Sequence, residues 1–165
     1  MHAFLAMDID ERWLNRSPSV MLETFHGFQG EGFELIVEDL LALPSEPPIL
    51  AEGFRLLPRL VAPLLSRSNQ AVWLVPTPEF RRAAFDARGF TWEISGRTSE
   101  PERALANLLT RDELFSSEMA REAAALHLPV IEVETGMAVE DLVERVGAAL
   151  ALGSRVASLG SRRRT

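Results

Sequence analysis

The sequence predicts an α/β protein in which a parallel sheet carries helices on both faces. Three observations lead there. Short apolar runs at residues 48–52, 71–76 and 129–133 have the length and residue types of buried strands. Capped, amphipathic stretches lie between them, and strands alternating with helices indicate a parallel sheet. The chain has 165 residues, 47% of them hydrophobic and 25% charged, which suits one globular domain with its own core.

Taken in order, "RSPSVMLETFHGF" starts a helix, with Ser17 as cap and Pro18 in the first turn. In "EGFELIVEDLLALP", Phe33, Ile36, Val37, Leu40 and Leu41 fall on one helical face, and Pro44 ends the helix. "PSEPP" is a loop, and "PILAEG" closes on Gly53 as the first strand. "RLLPRLVAPLL" is a short helix, bent or ended by Pro63. "QAVWLVPT" is the clearest strand, because Val72, Trp73, Leu74 and Val75 favour extended backbone. "TPEFRRAAFDARG" is a helix with Thr77 as cap, Pro78 first and Gly89 past its end. "FTWEISG" is a loop.

Ser99 and Glu102 then match the S-x-x-E capping box of a long helix running to about residue 127, with Leu105, Leu108, Phe115 and Met119 inward. "PVIEVE" is the third strand. "AVEDLVERVGAALAL" is the last helix, amphipathic through Leu142, Val143, Val146 and Leu150. One domain spans residues 1–152, and residues 153–165 form a basic tail expected to be disordered.

Composition excludes several functions. A formal net charge of −7 argues against a general nucleic-acid binder, which needs a basic face. All 17 basic residues are arginine, so no lysine is present as a phosphate clamp, Schiff base or general base. The absence of cysteine rules out disulfides, thiolate chemistry and Cys-based metal sites, and it fits a reduced cytoplasmic setting. No apolar run approaches the roughly 18 residues of a membrane span. The N-terminal "MHAFLAMDIDER" lacks the basic region of a signal peptide.

In parallel sheets ligands bind beyond the carboxyl ends of the strands, which singles out Glu52 and the segment around Thr77. A carboxylate at position 52 could hold a magnesium-bound water or take a proton from a substrate hydroxyl; the competing reading is a strand-end residue facing solvent. Arg88, Arg97, Arg103 and Arg111 frame the loop over the same edge. Arg103, Asn107 and Arg111 are spaced by four and share roughly one helix face. Guanidinium forks suit phosphate oxygens, whereas charge runs on helices are also ordinary solvated faces.

"GFQGEG", residues 27–32, imitates a phosphate loop but follows a helix, so it reads as a helix-to-helix turn. His2, His26 and His127 lack metal-ligand spacing, and there is no G-x-S-x-G nucleophile elbow. Trp13, Trp73 and Trp92 read as packing residues.

Together, "PILAEGFRLLPRLVAPLL", "AVWLVPTPEFRRAAF" and "RTSEPERALANLLTRDELF" resemble the later two-thirds of P-loop small-molecule kinases. These are bacterial ATP-binding proteins near the nucleotide, shikimate and gluconate kinases, and the resemblance runs to about residue 152. It implies a three-layer parallel sheet of the P-loop NTPase kinase type. It also implies ATP and Mg2+ as cofactors, with the γ-phosphoryl group passing to a small-molecule acceptor. By the same resemblance Glu52 is the candidate catalytic residue, as an acid for the metal or the substrate, Arg88, Arg97, Arg103 and Arg111 are candidate lid contacts to the phosphates of the nucleotide, and Arg12 and Arg16 lie on the acceptor side.

The departure is the phosphate loop. Such kinases open with a strand and G-x-x-x-x-G-K-[ST], and this chain has neither the motif nor a lysine. The expectation is therefore an N-terminally truncated kinase-like protein without its first strand, through a misplaced start or true shortening, and inactive alone. The competing expectation is a non-catalytic interaction domain whose surplus apolar surface is covered by a protein partner or, in a homodimer, by a second copy.

Overall fold

The architecture is that of a computed structural model describing residue 4 and residues 6–89 and 93–152. Short helices α1 (Ile9–Trp13) and α2 (Pro18–Thr24) lead through a 3-10 turn at His26–Gln29 into α3 (Phe33–Ala42). An irregular stretch follows, then α4 (Pro58–Val61), which tightens into a 3-10 turn at Ala62–Leu64. Pro63 lies in that turn, where a missing amide hydrogen tightens or ends a helix. Next come β1 (Trp73–Pro76), α5 (Pro78–Arg88), a 3-10 turn at Ser95–Arg97, α6 (Pro101–Ala125), β2 (Val130–Val133) and α7 (Val139–Ala149).

The expected three-layer parallel sheet of the P-loop kinase type does not form. Among the described residues there is one sheet of two strands, β1 and β2, running parallel from Trp73 opposite Val130 to Pro76 opposite Val133. The segment 48–52 is not a strand. It has no regular structure and is exposed throughout, with Leu50 84% accessible. A buried parallel strand needs a hydrogen-bonded neighbour and a helical layer over its side chains. Prolines 44 and 47 precede this run, Pro48 opens it without a ladder donor, and no layer covers Leu50. The chain reaches β1 only later, where Trp73 Nε1 donates to the carbonyl of Leu56 at 2.9 Å.

The organising element is α6. It packs against α1, α2, α4, α5 and both strands. Leu105, Leu108 and Phe115 are buried and Met119 is half-buried, as the sequence predicts. One core cluster joins Phe115 to Leu22 and Leu57; another joins Ala123 to Trp73 and Leu128, and Met119 touches both. Each buried leucine or phenylalanine among them contributes roughly 1.5–3 kcal/mol by leaving water.

Local signals act where the geometry allows. Ser17 Oγ accepts from the Val20 amide at 3.3 Å, Thr77 Oγ1 accepts from the Phe80 amide at 3.2 Å, and Gly89 ends α5 with φ 73°. The Ser99–Glu102 capping box does not form. Pro101 takes the first helical position, which makes Glu100 the N-cap, without a side-chain bond, and leaves Ser99 outside the helix. The Ser99 amide instead donates to Asp10 Oδ1 at 2.8 Å, tying the start of α6 to α1. Hydrogen bonding from Ser99 holds the Asp10 carboxyl below its ordinary value of 3.8.

Helix α3 also departs from its pattern. Phe33 is buried, Ile36, Val37 and Leu40 are half-buried, and Leu41 is 80% exposed. In α7, Leu142, Val146 and Leu150 are half-buried while Val143 points out. Residues 153–165 and Trp92 lie outside the described residues.

Candidate functional site

Of the five residues expected to meet a triphosphate, four are exposed and one is half-buried. Glu52 is exposed on the irregular stretch and makes no hydrogen bond or ion pair with any described residue. Arg88 is exposed at the last turn of α5, and Arg97 is exposed in its 3-10 turn. Arg103 is exposed and pairs with Glu100 at 3.1 Å, an ordinary i, i+3 surface pair. On the acceptor side, Arg12 Nε donates to the Met7 carbonyl at 2.9 Å and its guanidinium lies over Phe4. Arg16 donates to the Val20 carbonyl at 3.2 Å and to the Thr24 hydroxyl. Both secure the chain locally.

Arg111 is different. Its Nη2 and Nε reach one oxygen of Asp112 at 2.6 and 2.9 Å. Its guanidinium lies 5.6 Å from the Trp13 ring centre and 5.2 Å from that of Phe28. Phe28 in turn stacks on Phe115 with centroids 4.3 Å apart. Asn107, one turn earlier, donates to the carbonyls of Trp13 and Leu14 at 3.4 and 3.0 Å. The Asn107–Arg111 face of α6 thus anchors the N-terminal helices, and flat guanidinium planes suit such aromatic packing.

The other oxygen of Asp112 lies 3.6 Å from Nη1 of Arg81, on the first turns of α5 beyond the carboxyl end of β1. Arg81 Nη2 also donates to Ser116 Oγ. Two guanidiniums therefore share one carboxylate at side-chain exposures of 13% for Arg81 and 11% for Asp112. Burial lowers the Arg81 pKa; Asp112 opposes that shift and Arg111 adds to it. Arg81 Nε is buried without a hydrogen-bond partner. Arg81, Asp112 and Ser116 were missed by sequence reasoning. A helical register placing Asp112 and Ser116 four apart on the core side of α6 was the available signal, but charged residues are read as surface by default.

This cluster is a structural joint. Both Asp112 oxygens are engaged, and aromatic rings cover Arg111, so no group is presented to a ligand. The glycine-rich turn offers nothing either. Gly30 has φ 86°, and a Cβ there would lie 2.3 Å from Leu60 Cδ1, so the glycine is needed to admit a core leucine. Among the described residues no group of three or more His, Asp or Glu side chains gathers as a metal site. Among the described residues Glu52, Arg88, Arg97, Arg103 and Arg111 share no ion-pair partner: Arg103 pairs with Glu100 and Arg111 with Asp112.

A shallow cleft of about 200 Å³ lies between α4 and α6, walled by Arg59, Glu118, Arg121 and Glu122 above Leu57 and Phe115. Arg59 already bonds Glu122 at 3.2 Å and the Gln29 carbonyl at 3.2 Å, which leaves mixed, partly compensated charge. No described helix is long and apolar enough to cross a membrane. In comparison with known proteins, no family model matches this chain, and neither a curated protein nor a solved structure does.

Proposed function

We propose that this protein is a non-catalytic interaction domain, acting in the cytoplasm, that binds a protein partner through an exposed apolar face. One observation carries the reading. Seven of the ten residues of α3 are apolar, yet only Phe33 is buried, and Leu35, Leu41, Leu43, Ile49, Leu50 and Phe54 are all large, exposed side chains within one stretch. Single exposed leucines are unremarkable on a soluble protein, but a contiguous series marks a contact surface. The buried Asp112 carboxylate, engaged by Arg81 and Arg111, supports the same reading. The three-layer sheet that the kinase resemblance implied is not formed among the described residues, where the sheet has two strands.

The test places a photo-crosslinking amino acid at Leu41 or Leu50 in living cells, with Arg88 as an exposed control. A discrete protein adduct at the first two positions and none at the third is expected. Equal labelling at all three, or ATP-dependent phosphoryl transfer by the purified chain, would overturn the reading.

A further inference from the structure

The exposed apolar stretch is also where the charge of the molecule resides. From residue 17 to residue 54 there are seven carboxylates and no arginine. Taking those seven from the 24 acidic residues leaves 17, against 17 arginines, so the rest of the chain is formally neutral. Five of the seven, Glu34, Glu38, Asp39, Glu46 and Glu52, lie on the same excursion as the exposed leucines, and every one is exposed. Among the described residues none of them forms an ion pair.

The excursion is closed at its base. Phe54 packs edge-on against Phe28 at 5.7 Å, and Arg55 lies beside Gly32, where α3 begins. Residues 33–53 therefore leave the body of the protein and return to the same place. On α3 the half-buried Ile36, Val37 and Leu40 flank Phe33, which leaves Glu34, Leu35, Glu38, Asp39 and Leu41 interleaved on the outer arc. Three carboxylates and two leucines share that arc of the helix.

Resting on the interaction reading, we propose that residues 33–54 are the docking face for a basic amphipathic helix of a partner protein. Its apolar stripe covers Leu35, Leu41 and Leu50, and its arginines or lysines meet Glu34, Glu38 and Asp39. A neutral apolar partner would bury the leucines and leave the carboxylates uncompensated at the rim. An anionic membrane surface would be repelled by the same carboxylates. Leaving aside residues 17–54 and the basic tail, a second copy carries 17 carboxylates against 13 arginines, so its folded body offers no net positive charge to the face.

The test uses the full chain and two fluorescent helical peptides of about five turns, with identical leucine stripes and either arginine or glutamate on the polar face. Anisotropy at low salt should show the arginine peptide binding at least about tenfold more tightly, a preference that fades once added salt shortens the screening length to about 3 Å near 1 M. Glu34→Lys, Glu38→Lys and Asp39→Lys together should invert the preference with the helical circular-dichroism signal unchanged. Leu41→Ser with Leu50→Ser should weaken both peptides severalfold.

Equal affinity for the two peptides would overturn the basic-partner inference while leaving the interaction domain standing; failure of both to bind would count against both. Binding to phosphatidylserine vesicles, or dimerisation abolished by Leu41→Ser, would overturn it by assigning the face to a membrane or to a second copy. Tighter peptide binding after Arg162→Ala, Arg163→Ala and Arg164→Ala would overturn it by assigning the face to the chain's own tail.

Discussion

Helices α3 and α6 invert the usual relation between hydrophobicity and burial. Helix α3 is the more apolar, with seven apolar residues in ten, and buries one of them. Helix α6 reads PERALANLLTRDELFSSEMAREAAA, rich in charge, and buries seven residues, including Asp112 and Ser116. The difference lies in neighbours. α6 is long enough to meet α1, α2, α4, α5 and both strands, so even its aspartate finds two guanidiniums. α3 stands on an excursion that touches the body mainly at its base. Burial is conferred by what surrounds a residue, and a helix packed on one side only keeps its outward leucines in water.

The sharpest way to undo this contrast is at Asp112. Asp112→Ala leaves Arg81 and Arg111 facing each other with no counter-charge, and it should cost about 3–5 kcal/mol in urea unfolding. Adding Arg81→Met to that variant should recover part of the loss, since one unpaired charge is removed. Loss within about 0.5 kcal/mol for Asp112→Ala would mean the joint is not formed in solution.

A pair of leucines gives the next effect. Leu57, 2% exposed, should cost about 2–5 kcal/mol on truncation to alanine, whereas Leu50→Ser, at 84% exposure, should stay within about 0.5 kcal/mol. Comparable losses at both positions would show that the excursion is folded against something in the free protein.

Smaller still is the difference between helix starts. Thr77→Ala removes a side-chain bond to the Phe80 amide and should cost about 1 kcal/mol. Ser99→Ala should cost less than about 0.5 kcal/mol, because α6 begins after it and takes no cap from it. The finest test is in acid. The folded pKa of Asp10 is depressed, so its contribution is present above the ordinary value of 3.8 and is lost as pH falls through the folded value. Asp10→Asn should flatten that part of the acid-unfolding profile and leave stability near neutrality with the least change of the set.

Period and punctuation determined much of this molecule directly from sequence. The caps at Ser17 and Thr77, the stop at Gly89, the tightening at Pro63 and the strands around residues 73–76 and 130–133 all follow from interactions within a few residues. The parallel pairing of those two strands was readable from the helices between them, because a parallel neighbour requires a long crossover.

What depended on distant parts of the chain was not readable. The run 48–52 has strand composition, but composition does not supply a neighbouring ladder or a covering layer. The exposure of the outer arc of α3 follows from the absence of a packing partner on that side, which no pattern inside ten residues encodes. Asp112 reads as a surface charge until the fold brings Arg81 to it from 31 positions away. The fate of the arginines was settled the same way. A guanidinium binds whichever carboxylate or ring the fold sets beside it, and for Arg111 that is Asp112, Trp13 and Phe28. Local sequence selects backbone states, while burial and charge pairing are properties of the assembled neighbourhood.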